Sequence, residues 1–271
     1  MVTTFENIAL PKIIYKYRDW NNDKHKRILN NCEIYFAAPF DCDEQHECNL
    51  PRDYDSVNEE MLYKYFYETS LSQGYKTEEE RKEIAKYMVT NSPFNTKDHR
   101  QRAECLLRNE LNKRLSVFCV SEHKDNFHLW NTFGAYQTGF CVGINTIQMF
   151  KSTETFGSGD KIKYYPIDSP PKIRPFCFSD NERVEDMLKV IYSLPDIYIN
   201  EDEYRLSKID IVKKEVIIPT KCFEEVILGS KISSSNKIEI INQVKNNLPN
   251  CKIYQAHYDK DKKIYSYEET N

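Results

Sequence analysis

Along the chain, short runs of β-branched and aromatic residues alternate with longer amphipathic stretches, and each spacing predicts its element. Ile13-Ile14-Tyr15-Lys16-Tyr17 reads as a strand, and Asp23 is placed to cap a short helix reaching Asn31. Residues 33–37 form the next strand. Ser56 with Glu59, and Thr77 with Glu80, have the spacing of capping boxes, so residues 57 to 113 read as mainly helical. Within them Leu62, Phe66 and Leu71, then Ala103, Leu106, Leu107 and Leu111, recur near the helical period and read as packing faces.

Beyond residue 114 the pattern shortens. Residues 115–120 and 140–144 are compact apolar strands on either side of an aromatic helical stretch, Phe127-His128-Leu129-Trp130-Asn131-Thr132-Phe133. Further strands are expected at 161–165, 204–207, 214–218, 223–228, 252–257 and 263–267, with helices at 183–194 and 236–247. This interleaving departs from a regular βαβα alternation. It predicts an α+β fold with a mixed, mainly antiparallel sheet carrying a helical insertion. No repeat or linker stands out, so residues 1–271 read as one domain, with 57–113 as a helical insertion or subdomain.

Composition narrows the class. The 271 residues are 40% hydrophobic and 30% charged with a formal net charge of -4, the balance of a soluble globular protein. Only 7 glycines occur, in neither GxGxxG nor GxxxxGK[ST] order, which disfavours a Rossmann turn or a P-loop. No basic leader and no apolar stretch of spanning length is seen, so a cytoplasmic, membrane-free location is expected. Nine scattered cysteines then read as reduced core residues. A net negative charge argues against coating nucleic acid, leaving only a local basic groove from Lys161, Lys163, Lys213 and Lys214.

Four segments offer chemistry. Arg18 ends the first strand among aromatic rings, where a guanidinium can grip a phosphate or carboxylate; taken alone it is read in preference as a surface pair with Asp19 or another carboxylate. Asp41-Cys42-Asp43-Glu44-Gln45-His46-Glu47-Cys48 is acidic and thiol-rich but has no CxxC or HExxH spacing, so an acidic loop is preferred to a metal site and no metal is expected. In Glu201-Asp202-Glu203-Tyr204-Arg205, strand alternation places Glu201, Glu203 and Arg205 on one face. That row suits stabilisation of an oxocarbenium-like centre, or equally a charged strand edge. Trp130, Phe133 and Tyr136 form an aromatic cluster fit to stack a planar ring or to fill a core.

Lys16-Tyr17-Arg18, the strand Ile34-Tyr35-Phe36-Ala37-Ala38 with Pro39, Leu129-Trp130 followed by Gly139-Phe140-Cys141-Val142-Gly143-Ile144, and Glu201-x-Glu203-Tyr204-Arg205-Leu206 together resemble the bacterial family called domain of unknown function 2971. The likeness spans most of the chain. After Pro39 the family has Phe-Asn-Asp-Pro-Phe, whereas this chain reads Cys42-Asp43-Glu44-Gln45-His46. The order of blocks is also similar to arginine-type ADP-ribosyltransferases. That resemblance implies NAD as substrate, with Arg18 on its phosphates or ribose and Tyr17, Tyr35, Phe36, Trp130 and Arg205 around the cofactor. It implies Glu203 as the stabilising carboxylate and Glu201 orienting the acceptor.

The function so implied is a bacterial toxin or phage-defence effector modifying a protein or nucleic acid, restrained by an antitoxin or defence-system partner. The alternatives are a non-catalytic nucleotide- or partner-binding sensor and a metal-dependent nuclease using Asp41, Asp43, Glu44 and His46.

Overall fold

In the computed structural model, which describes residues 10–42, 46–75, 77–152, 157–210 and 214–270, the first apolar run is β1 (Ile13–Arg18). It leads to α1 (Asp23–Asn30) and β2 (Glu33–Phe36). Asn22, not Asp23, caps α1 by accepting from the Lys24 amide, which leaves Asp23 in the first turn where a negative charge suits the helix dipole. Three helices follow, α2 (Glu59–Ser70), α3 (Glu78–Thr90) and α4 (Lys97–Arg114). Thr77 and Glu80 form the expected capping box. Ser56 instead ends a 3-10 turn, and Asn58 caps α2 by accepting from the Met61 amide.

The remaining elements are β3 (Leu115–Ser121), α5 (Phe127–Thr132), β4 (Phe140–Asn145), α6 (Thr146–Ser152), β5 (Ser158–Lys161), β6 (Lys163–Tyr165), α7 (Asp180–Ile191) and β7 (Ser193–Pro195). Then come β8 (Glu203–Ile209), β9 (Lys214–Ile217), β10 (Phe223–Leu228), α8 (Ser234–Asn247), β11 (Lys252–Asp259) and β12 (Ile264–Glu269). They fall into two compact units, Met1–Cys42 with Arg114–Lys163 and Ile197–Asn271, and Asp43–Lys113 with Tyr164–Asp196.

The first unit is built on an eight-stranded sheet in the order β12-β11-β10-β4-β1-β3-β8-β5. Its neighbours pair antiparallel except β10 with β11, which are parallel and joined through α8, the crossover that a parallel connection needs. The mainly antiparallel α-and-β architecture is thus present. β4 is nearly all apolar because both its faces are covered. Ile14, Phe118, Phe140, Val142, Leu206 and Val226 pack on one side with Leu29 of α1 and Ile240 of α8. Tyr15, Tyr17, Cys141 and Ile227 pack on the other with Leu129 and Trp130 of α5.

In the second unit, Leu62 and Phe66 of α2 and Ala85 of α3 surround Phe176, whose ring lies 4.2 Å from that of Tyr65. This unit includes the expected helical stretch 57–113 together with Tyr164–Asp196. Leu71, Leu106 and Leu107, expected in packing faces, are exposed, and no described residue of α4 is fully buried. The helix is charged almost all round and is held by polar contacts such as Arg52 with Glu104 at 2.7 Å.

The cysteines also differ from expectation. Cys32, Cys48, Cys141 and Cys222 are buried and Cys105 is exposed, whereas Cys42, Cys119, Cys177 and Cys251 are partly exposed. Among the described residues no helix is long and apolar enough to cross a membrane.

Candidate anion-binding site

β1 pairs with β4 along its whole length, from Ile13 opposite Asn145 to Arg18 opposite Phe140. On its other side it meets β3 at a single pair, Tyr15 with Ser121. Lys16 occupies the position where that ladder stops. Its ammonium donates to the main-chain oxygen of Cys119 and stands 5.3 Å from the centre of the Phe118 ring. Arg18, two residues on and therefore on the same face, donates through NH1 to its neighbour's carbonyl, Tyr17 O, at 3.5 Å. Among the described residues neither cation pairs with a carboxylate. Gly139 is required beside them, since a Cβ there would lie 2.1 Å from the Arg18 carbonyl oxygen.

The charges register this lack of compensation. Burial, then the Arg18 guanidinium, pull the Lys16 amine down to about 8, against weaker opposing effects of Cys119, Glu203 and Cys42. Burial pulls Arg18 down to about 10, opposed by Cys119. His25 of α1 is lowered to about 4 by burial, by Arg18 and, more weakly, by Lys16, although Asp19 opposes. Its Nδ1 accepts from the Asp19 amide at 3.3 Å, so a neutral imidazole stands beside two cations. An anion entering this cluster would relieve all three shifts.

Glu203 lies elsewhere. It opens β8 and meets Arg205 through both oxygens, at 2.6 Å to Nε and 3.1 Å to NH2, with Arg205 0% and Glu203 6% exposed. The register Tyr15–Ser121–Glu203 puts this pair on the face of Tyr15 and Tyr17, whereas Tyr204 and Leu206 share the other face with Ile14. Arg18 and Glu203 therefore emerge from opposite faces of one sheet. Glu201 ends a 3-10 turn, Asp196–Glu201, and Asp202 follows with φ 44°, so the chain turns before β8 begins. The expected row of Glu201, Glu203 and Arg205 is reduced to its last two members.

The aromatic candidates separate as well. Tyr17 is buried, donates to His123 O at 2.6 Å and meets Trp130 edge-on at 5.1 Å. Trp130 has no exposed surface and donates from Nε1 to Lys124 O, so it fills a core rather than presenting a stacking face. Phe36 is buried 5.7 Å from the Phe118 ring, and Tyr35 of β2 is 40% exposed.

Of the acidic loop, Asp41 closes a short 3-10 turn and His46 is described, while Asp43, Glu44 and Gln45 lie outside the described residues. Among the described residues no group of three or more His, Cys, Asp or Glu is arranged to hold a metal ion. Of the proposed basic groove, Lys161 is paired with Glu122 at 2.7 Å and Lys163 is exposed. Lys213 and the side chain of Lys214 lie outside the described residues. Lys16 and His25, absent from the expected site, are the residues that join Arg18. Compared with protein-family models, curated proteins and solved structures, the chain matches none.

Proposed function

We propose that this chain binds a phosphate-bearing nucleotide through Lys16 and Arg18. The observation that carries the reading is two desolvated cations on one face of β1 with no carboxylate partner among the described residues. Desolvating a charge costs several kcal/mol unless an opposite charge compensates it, and Arg205 with Glu203 shows how this fold compensates such a charge internally. A guanidinium fork beside an ammonium matches the oxygens of a diphosphate. NAD is the nucleotide that the sequence resemblance implies. Calorimetry with pyrophosphate, ADP and NAD at low salt tests the reading. Binding that weakens at least tenfold in Arg18→Ala supports it; absence of binding, or equal binding by the variant, rejects it.

The second reading is NAD-dependent ADP-ribosyl transfer to a protein or nucleic acid, with Glu203 stabilising the ribosyl cation and Glu201 orienting the acceptor; it requires NAD to be held on the Glu203 face of the sheet and not by Arg18. What favours it is a buried carboxylate, Glu203, fixed in place by Arg205 through both oxygens. Release of nicotinamide from NAD, compared with Glu203→Gln, tests it. Without release, the chain is a nucleotide-binding sensor whose occupied state is read by a partner protein of the antitoxin or defence-system kind.

A further inference from the structure

Three lysines of this chain show the usual arrangement, an ammonium matched with a carboxylate: Lys161 lies 2.7 Å from Glu122, Lys172 3.0 Å from Asp53 and Lys124 3.2 Å from Glu225. In the first two the hydrogen-bonded carboxylate raises the lysine and keeps it protonated. Lys16 is set differently. Its nitrogen donates to an uncharged partner, the main-chain oxygen of Cys119, and stands 5.3 Å from the centre of the Phe118 ring, on the face of β1 that carries Ile14. Arg18 follows two residues later on that face, its place in the strand fixed by pairing with Phe140. Burial and that guanidinium bring the Lys16 amine down to about 8. About a tenth of it is then unprotonated at pH 7, against about three parts in ten thousand for an ordinary lysine. A desolvated lysine next to another cation is the arrangement that turns an amine into a nucleophile toward carbonyl compounds. The hydrogen bond to Cys119 uses an N–H, so the lone pair of the neutral amine stays available for attack.

We propose that Lys16 forms a reversible imine with the aldehyde of a nucleoside diphosphate sugar whose diphosphate is held by Arg18. The imine rests on the anion-binding reading, within which it fixes the class of ligand. Residues two apart on a strand are rooted about 7 Å from each other. The open-chain form of a ribose esterified at its last carbon carries aldehyde and phosphate at opposite ends of a carbon chain of similar length. The lone pair of the neutral Lys16 amine attacks the aldehyde carbon, a C–N bond forms, and the former carbonyl oxygen takes a proton from the nitrogen. The nitrogen pair then forms the C=N bond, the C–O bond breaks, and the oxygen leaves as water with the remaining proton of that nitrogen. One water is released and nothing is oxidised or reduced. ADP and pyrophosphate are held by charge alone, a hold that salt screens, whereas the reducing sugar adds a covalent bond that salt does not touch.

The test incubates the full chain with ADP-ribose and sodium cyanoborohydride, which reduces an imine to a stable amine, and maps the modified lysines by peptide mass spectrometry. Lys16 is expected to take up label at least tenfold faster than any other lysine, and excess ADP to slow that uptake at least tenfold while the other lysines are unaffected. Label spread over exposed lysines with no preference for Lys16 overturns the imine. An equal preference for Lys16 with ribose in place of ADP-ribose overturns the part given to Arg18. Lys16→Arg keeps the cation, so it is expected to bind ADP within threefold of the parent while total label falls to the level that ribose gives. Specific label that persists in this variant makes another lysine the nucleophile and overturns the assignment. Calorimetry with ADP separates the two readings. ADP that binds while Lys16 stays unlabelled overturns the imine and leaves anion binding standing, whereas ADP that does not bind overturns the anion-binding reading itself.

Discussion

Glu203 holds Arg205 through both carboxylate oxygens, on the face of the sheet turned away from Arg18. The two arginines thus represent opposite solutions to one problem. Arg205 has no exposed surface and is paired with a carboxylate of its own strand, whereas Arg18 sits beside a second cation, Lys16, and donates to the Tyr17 carbonyl.

Replacing Glu203 by Gln removes the carboxylate that meets the buried Arg205 guanidinium through both oxygens. The expected loss is about 3 to 5 kcal/mol, the usual cost of removing one partner of such a pair. Urea denaturation measures it. A variant as stable as the parent would show that the carboxylate has no structural task and stands free for chemistry.

Lys16 gives the site a pH dependence. Its amine titrates near 8 in the folded chain against 10.5 as its ordinary value, so the unfolded chain holds the proton to higher pH. The cost of burying the ammonium is complete below about pH 8 and is relieved as pH rises toward 10.5. Lys16→Met should therefore be the more stable protein at pH 7, by about 1 to 3 kcal/mol, with the gap closing by pH 10. Pyrophosphate affinity of the parent should fall in the same range, between pH 7 and 9, as the ammonium loses its charge. Affinity that is flat across that range removes Lys16 from the site.

Helix α2 separates two capping candidates. Asn58→Ala removes the acceptor of the Met61 amide and should cost about 1 kcal/mol, while Ser56→Ala should change stability by less than about 0.5 kcal/mol. Thermal melts of the two variants compare them directly, and an equal loss in both would return Ser56 to the cap.

Gly139→Ala probes the seam beside Arg18. A methyl group there meets backbone, not a movable side chain, so β1 and β4 must separate where Arg18 faces Phe140. The expected result is a loss of several kcal/mol together with weakened pyrophosphate binding, because the strand end that carries Arg18 shifts. Parent-like melting and affinity would mean that the seam tolerates opening.

Much of the fold was legible in local pattern. β1, β3, β4 and β10 fall where the apolar runs placed them, since strands of a covered sheet are rich in β-branched and aromatic residues. Lys16 was also within reach of the sequence, because strand alternation puts residues two apart on one face and so joins it to Arg18. His25 was not, for it comes from α1 and reaches the site only by packing.

Periodicity failed at α4, where Leu106 and Leu107 keep helical spacing yet stay exposed, because spacing describes a face and not what covers it. The Glu201 placement failed because one left-handed residue, Asp202, interrupts the strand that alternation assumed.

The sequence by itself determined which segments become strands and helices, and that Lys16 and Arg18 leave β1 on the same side, because these depend on neighbours a few residues apart. Only the tertiary structure decided that Glu203 turns to the opposite face and pairs with Arg205, and that Lys16 donates to the Cys119 carbonyl. Those outcomes depend on register between strands far apart in the chain, and a shift of one residue in that register would reverse every side chain it governs.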